Sequence, residues 1–123
     1  MNREALTQAI RILYTVPLNN FDMAVYINKR ETAGCIAGHC ARDPWFISNG
    51  FRLVMSETGR LIPAYTNQEG RAAVMLFFQL TSAQTDWLFF DFANYIRTPR
   101  EAILRIQKTM RDSDEPNDRG TPL

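Results

Sequence analysis

Histidine and cysteine are scarce in this sequence: His39, Cys35 and Cys40 are the only ones among 123 residues. Structural zinc sites take four ligands and catalytic sites take three and a water, so a zinc site here would also need a carboxylate. The two cysteines lie five residues apart, and on a helix their side chains would diverge too far for an undistorted disulfide. We therefore expect reduced thiols in a reducing compartment.

Long apolar runs are also missing. The longest spans residues 72–78, whereas a helix needs about 20 apolar residues to cross a bilayer. The N-terminus carries Arg3 and Glu4 and lacks the apolar region of a signal peptide. With 46% hydrophobic and 22% charged residues, the composition is that of an ordinary globular domain. We expect a soluble, cytoplasmic protein of one domain that has no membrane partner.

Lysine is rare as well, because twelve of the fourteen basic residues are arginine. Arginine presents a planar fork that fits carboxylates and phosphates, although the codon usage of a GC-rich genome explains the same bias. Residues 1–111 carry thirteen basic and nine acidic side chains, a net charge of +4, and four acidic residues with one arginine follow them. The sequence therefore predicts a single compact domain at 1–111 and a disordered acidic tail at 112–123.

Helix start signals are the clearest structural feature of the chain. Two capping boxes, Thr81 with Gln84 and Thr98 with Glu101, place pairs of polar side chains where they satisfy free backbone N–H groups. The helix that begins at the second box is predicted to end at about Arg111. Other helical patterns cover residues 21–28 and 68–79, and a first helix is capped by Asn2 and ends before Pro17.

A β-hairpin is predicted at residues 51–65. Two short apolar runs flank a turn in which Gly59 takes the position that needs a positive φ. Pro63 cannot donate to a sheet ladder, so we expect that its strand is an edge strand or that its bond faces outward. The sequence thus predicts an α+β fold that is predominantly α: a small helical domain of about five helices with one β-hairpin and a disordered acidic C-terminal tail.

The small-residue segment 33–41 holds the candidates for chemistry. Gly34 and Gly38 have the spacing of close packing, so we expect this backbone to be pressed against another element. Cys35 and His39 are one helical turn apart, which fits either a zinc-binding pair or a thiol nucleophile with its base. Enzymatic cysteine–histidine pairs usually converge from separate elements instead. We predict a buried thiol and a hydrogen-bonded histidine, with no catalytic residue, metal or cofactor.

Basic side chains follow the last predicted helix. Arg97, Arg100, Arg105 and Lys108 have the spacing to track a phosphate backbone or to hold a nucleotide. The same charges also suit a solvated face near a helix C-terminus, where they complement the helix dipole. The sequence favours the solvated face and leaves the anion-binding surface open.

Aromatic residues cluster in two places. Trp45 is followed by a second aromatic residue, and Phe92 lies in a stretch that is apolar on both sides. One helix cannot bury every ring of that stretch in so small a domain. Trp45 and Phe92 are therefore candidates for an exposed patch that binds a partner protein or forms a homodimer, unless all the rings enter the core.

Four sequence patterns occur in an order that resembles a group of short, mostly uncharacterised proteins of bacteriophages and prophages. They are FDM at 21–23, GCIAGH at 34–39, LTxxQxxWLF at 80–89 and TxREAxxRI at 98–106. The group often has tryptophan or histidine where His39 stands, an exchange that a metal ligand or catalytic base would not tolerate. The resemblance implies a phage-associated setting in a bacterial host cell and supplies no catalytic residues.

Three functions follow from these observations. The first is a non-enzymatic phage or prophage accessory protein that binds a host or phage protein, with inhibition of a host defence system as one form of that role. The second is an arginine-rich binder of nucleic acid or of a nucleotide ligand. The third is an enzyme or metal site built on Cys35 and His39.

Overall fold

The computed structural model describes residues 1–91 and 93–114. These residues form six α-helices and a three-stranded antiparallel sheet, which confirms the predicted α+β class. A 3₁₀ turn, Leu18–Asn20, follows the first helix. The elements in chain order are α1 (Arg3–Leu13), α2 (Ile36–Ala41), α3 (Pro44–Ser48), β1 (Phe51–Met55), β2 (Leu61–Tyr65), β3 (Gln68–Glu69), α4 (Arg71–Phe78), α5 (Ser82–Phe89) and α6 (Pro99–Asp114).

The predicted helix starts are found where the capping residues stand. The Asn2 side chain accepts a hydrogen bond from the Ala5 N–H, and Thr81 and Gln84 form the full reciprocal box at 3.1 and 3.0 Å. At α6 only half of the box forms. Thr98 accepts from the Glu101 N–H at 3.0 Å, but the Glu101 carboxylate accepts from the N–H of residue 97 rather than from that of Thr98.

The last helix continues beyond the predicted end at Arg111 to Asp114. One added turn is supported by an ion pair between Lys108 and Asp112 at 3.2 Å, and by Arg3, which donates to the Ser113 hydroxyl at 3.3 Å. The last helix therefore extends three residues past the predicted boundary at residue 111. Residues 115–123, which make up most of the predicted disordered tail, lie outside the described residues.

The sheet has the order β1-β2-β3, so the strand that contains Pro63 is central rather than at an edge. Ser56 donates to the Arg60 carbonyl, which makes that pair hydrogen-bonded and makes Leu53↔Pro63 a non-hydrogen-bonded pair by alternation. The missing proline N–H therefore removes no bond of the β1–β2 ladder. Gly59 has φ of 81°, as the predicted turn requires.

Residues 21–28 do not form the predicted helix. Phe21 and Ile27 both form bridges with Gly34, and the Asp22 N–H donates to the Gly34 carbonyl. The backbone groups of this segment are therefore satisfied by a strand-like neighbour instead of by a helical turn. The Asp22 side chain accepts from the Ala24 N–H, which closes a local turn.

Two other boundaries differ from the sequence prediction. α3 is a helix that the sequence did not predict, and Asp43 caps it by accepting from the Trp45 N–H at 3.0 Å, with Pro44 as the first helical residue. The helix predicted at 68–79 begins only at Arg71, because residues 68–69 pair with β2. Leu76 on this helix is exposed to solvent.

An aromatic cluster forms the centre of the core. Phe46, Phe51, Phe77 and Phe78 come from α3, β1 and α4, and their ring centroids lie 4.8 to 5.9 Å apart. These contacts hold the sheet against the helices, so the hairpin is not an isolated ribbon.

Gly34 and Gly38 are pressed against another part of the backbone, as predicted. A Cβ atom at Gly34 would lie 2.3 Å from the Tyr26 carbonyl oxygen, and one at Gly38 would lie 1.5 Å from the same oxygen. The Cys35 N–H donates to that oxygen at 3.1 Å. The two glycines therefore fix residues 23–29 beside α2.

None of the helices within residues 1–91 and 93–114 is both long and apolar enough to cross a bilayer.

Candidate functional site

The two cysteines are buried thiols. Cys35 stands immediately before α2, Cys40 lies within it, and neither forms a disulfide. Burial raises the pKa of the Cys35 thiol to about 11, although nearby N–H groups of Gly38 and Ala37 favour its thiolate. Burial also raises the pKa of Cys40 well above its usual value. Both thiols are therefore protonated at neutral pH, and a protonated thiol is a poor nucleophile.

His39 is half-buried and its ring is held by a backbone contact. Its Nε2 atom lies 2.7 Å from the Asn20 carbonyl oxygen, so Nε2 carries the proton and donates. Burial lowers the pKa of the imidazole, which keeps it neutral. This is the hydrogen-bonded histidine that the sequence predicts.

Cys35 and His39 line different cavities. His39 borders a polar depression of about 480 Å³ that also includes the ion pair between Arg11 and Asp43. Cys35 borders an apolar cavity of about 700 Å³ that shares no lining residue with the polar depression. Among the described residues, no three histidine, cysteine, aspartate or glutamate side chains are grouped to hold a metal ion. The structure thus does not bring the candidate pair together at one open site.

The basic face of α6 is partly occupied by contacts within the chain. The Arg105 side chain is only 14% exposed and pairs with Asp91 at 3.1 Å. It also donates to the carbonyls of Trp87, at 2.9 Å, and Asn94, and its guanidinium lies 4.0 Å from the centroid of the Trp87 ring. Arg105 therefore joins α5, the following loop and α6, and its donors are not available to a phosphate.

The other basic residues in and just before α6 differ in whether they form an ion pair. Lys108 forms the ion pair with Asp112, whereas Arg97 and Arg100 are exposed and form no ion pair within the described part of the chain. A hydrogen bond from the Asn94 N–H is the main cause that lowers the pKa of Asp91, and Arg105 adds to it. The carboxylate is thus ionised and neutralises the arginine beside it.

Of the two aromatic residues predicted to form a binding patch, Trp45 and Phe92, the structure describes only Trp45. Trp45 is half-buried and packs edge-on against Phe46 and Phe77, with centroid distances of 4.9 and 6.4 Å. It therefore belongs to the border of the core rather than to a protruding patch. Phe92 lies outside the described residues.

The apolar cavity was not predicted from the sequence. Its volume is about 700 Å³, within the range of small binding pockets, and we call it the hairpin groove. It lies between residues 23–29, the end of the hairpin at Met55 and residues 59–62, and the Phe89–Phe90 pair at the end of α5. Gly34 and Gly38 position the first wall, and the aromatic core positions the other two.

The apolar wall of the groove is an uncovered continuation of the core. Phe51, Leu53 and Met55 alternate onto one face of β1, and Met55 pairs with Leu61 on β2. Phe51 is fully buried, but Met55 at the far end of the same face is 64% exposed. On the opposite wall, Val25 is 37% exposed. Apolar surface on both sides of a concave site is typical of a binding surface.

Polar groups of the groove are few. Tyr26 lines the groove and packs edge-on against Phe90. Burial raises the pKa of Tyr26 to about 12, so the hydroxyl is a donor at neutral pH. Lys29 and Arg60 lie at the rim of the groove. No aspartate or glutamate is among the residues that line it.

The alternation of apolar residues in β1 was visible in the sequence, but it does not show which end of the face is covered. That depends on residues 23–29, for which the sequence predicted a helix.

No protein-family model, no curated protein and no solved structure matches this chain.

Proposed function

We propose that this chain is a non-enzymatic accessory protein of a phage or prophage that acts by binding a partner protein, and that the hairpin groove is its binding surface. The observation that carries the proposal is the groove itself: apolar side chains that continue the core face of the hairpin remain exposed in a concave site. The resemblance of the sequence to short phage proteins supplies the biological setting. Inhibition of a host defence protein is one form of the proposed role.

The state of the candidate residues supports binding over catalysis. The Cys35 thiol is buried and protonated, and His39 uses its Nε2 proton in a bond to a backbone carbonyl. Nucleophilic catalysis needs a thiolate and a base that reach the same substrate. Nucleic-acid binding receives less support, because Arg105 is committed to Asp91 and to two backbone carbonyls.

Site-specific photocrosslinking tests the proposal in bacterial cells that express the chain. A photoreactive phenylalanine analogue replaces Met55 in the groove and, as the matched control, Leu104 on the exposed face of α6. Both side chains are large, apolar and more than half exposed, at 64% and 52%. We expect a discrete protein adduct from position 55 only, whose captured partner also binds the unmodified chain when both are purified.

Three outcomes of the crosslinking experiment would contradict the proposal. If positions 55 and 104 give the same adducts, or if the captured protein does not bind the purified chain, the groove is not the binding surface. An adduct of twice the chain's mass from position 55 would identify a second copy of the chain as the occupant, and would contradict a separate partner.

A further inference from the structure

The hairpin groove differs in its charge from two other depressions of the described structure. In the polar depression, Arg11 pairs with Asp43 at 2.9 Å. In the shallow depression beside α5, Arg71 pairs with Asp86 at 3.0 Å. Each of these cations is thus neutralised by an acidic side chain of the same depression.

The groove has cations without such neighbours. Lys29 and Arg60 line its rim, both are exposed, and neither forms an ion pair with a residue of 1–91 or 93–114. No aspartate or glutamate is among the residues that line it. A site with apolar walls and exposed cations that pair with no described acidic side chain is complementary to an occupant that is apolar and also carries a negative charge.

The backbone of β2 adds a second kind of complementarity. By the alternation of the ladder, Leu61 and Pro63 direct their backbone groups away from β1, toward the side of β3. The Pro63 carbonyl accepts from the Gly70 N–H on that side, at 2.8 Å. β3 pairs only with Ala64 and Tyr65. The N–H and C=O of Leu61, which lines the groove, therefore have no strand beside them.

An extended peptide satisfies these features together. Its backbone has the acceptor and donor that Leu61 lacks, as in the addition of a strand to a free sheet edge. Its alternate side chains supply an apolar group for the Met55 wall and a carboxylate for the rim. An acyl chain with a carboxylate head would fill the apolar wall and meet the cations, but it would leave the Leu61 N–H without an acceptor.

We propose that the hairpin groove binds an extended, acidic segment of the partner protein. One large apolar side chain of this segment lies against Met55 and Leu61, a neighbouring aspartate or glutamate lies between Lys29 and Arg60, and its backbone pairs with Leu61. This inference rests on the proposed function, since it specifies what the partner presents to the groove.

Selection from an mRNA-displayed library of randomised octapeptides on the purified, immobilised chain tests the inference. We expect enriched peptides that contain aspartate or glutamate within two residues of a large apolar residue. One enriched peptide, labelled with fluorescein, is then measured by fluorescence polarisation. The double charge reversal Lys29→Glu with Arg60→Glu is expected to raise its Kd about tenfold or more, and higher salt is expected to weaken binding of the original chain.

The matched control is Arg52→Glu, because Arg52 is an exposed arginine of the same hairpin that does not line the groove. We expect it to leave the Kd within about twofold. A second variant, Met55→Asp, is expected to abolish measurable binding. Circular dichroism of each variant checks that the fold is retained. We expect it to be, because Lys29, Arg52, Met55 and Arg60 are all exposed.

Several results would overturn the inference. They are the absence of enriched peptides, enrichment without acidic residues, or a Kd that the double charge reversal leaves unchanged. Calorimetric binding of dodecanoate that Met55→Asp abolishes, with no peptide enriched, would assign the groove to a small amphiphile instead. A partner crosslinked at position 55 together with a library that shows no acidic preference would leave the proposed function standing and remove this inference alone.

Discussion

Replacement of Gly38 by alanine separates local helix preference from tertiary packing, because the two predict opposite signs. Gly38 lies inside α2, where alanine is more favourable than glycine by about 1 kcal/mol on helix propensity alone. The Cβ atom of an alanine would lie 1.5 Å from the Tyr26 carbonyl oxygen and 2.5 Å from its carbon. Non-bonded atoms pack at roughly 3.5 to 4 Å, so the backbone at Tyr26 has to move by about 2 Å.

That movement has two costs. Overpacking of a closely packed site costs about 1 to 3 kcal/mol and sometimes more. The Tyr26 carbonyl also accepts a hydrogen bond from the Cys35 N–H, and the loss of such a bond costs about 1 kcal/mol. The hydrogen-bond loss and the gain in helix propensity nearly cancel, so we expect Gly38→Ala to lower the free energy of unfolding by about 1 to 3 kcal/mol. The midpoint of thermal unfolding should fall by roughly 10 °C.

Urea unfolding followed by circular dichroism measures this change, with Gly59→Ala as the comparison. Gly59 has nothing within 4 Å of an added Cβ, and its φ of 81° is the only strain that alanine would meet there. That conformation costs about 1 to 2 kcal/mol for a residue with a Cβ. A Gly38→Ala protein as stable as the original chain, or more stable, would refute the assignment of close backbone contact. Gly34→Ala, whose Cβ would lie 2.3 Å from the same oxygen, should also destabilise the fold.

Three further predictions concern the residues around the candidate sites. Arg105→Ala should lower the free energy of unfolding by about 2 kcal/mol, because it removes the contacts that join α5 to α6, whereas the exposed Arg100→Ala should change it by less than about 0.5 kcal/mol; equal urea midpoints for the two variants would contradict this role. Cys35 should not react with a thiol reagent at pH 8 until the chain is unfolded in urea, and fast labelling of the folded chain would show an accessible thiolate. Folding raises the pKa of Cys35 from 9.0 to about 11 and that of Tyr26 from 10.0 to about 12, so both groups bind protons more tightly in the folded chain. Their contribution to stability is present below pH 9 and is lost as the pH rises through 11 and 12. The urea midpoint should therefore be lower at pH 10.5 than at pH 7.5, and a higher midpoint at pH 10.5 would contradict the prediction.

The fold class could be predicted because its signals are local. The Asn2 cap, the Thr81–Gln84 box and the turn at Gly59 each depend on residues within four positions of one another, and each is present in the structure. Residues 21–28 could not be predicted in the same way. Their apolar spacing fits a helix, but their backbone pairs with Gly34, and that competitor is not visible in the local pattern.

The sequence by itself determined the capped starts of α1, α5 and α6, the hairpin turn, and the close packing of the segment with Gly34 and Gly38. It determined them because capping, positive φ and the absence of a Cβ are properties of single residues and their immediate neighbours. Only the tertiary structure decided that Arg105 forms an ion pair with Asp91, that Cys35 and His39 border different cavities, and that Met55 is exposed to solvent. Those outcomes depend on which distant segments meet, and the apolar period of a strand or helix does not specify its neighbour.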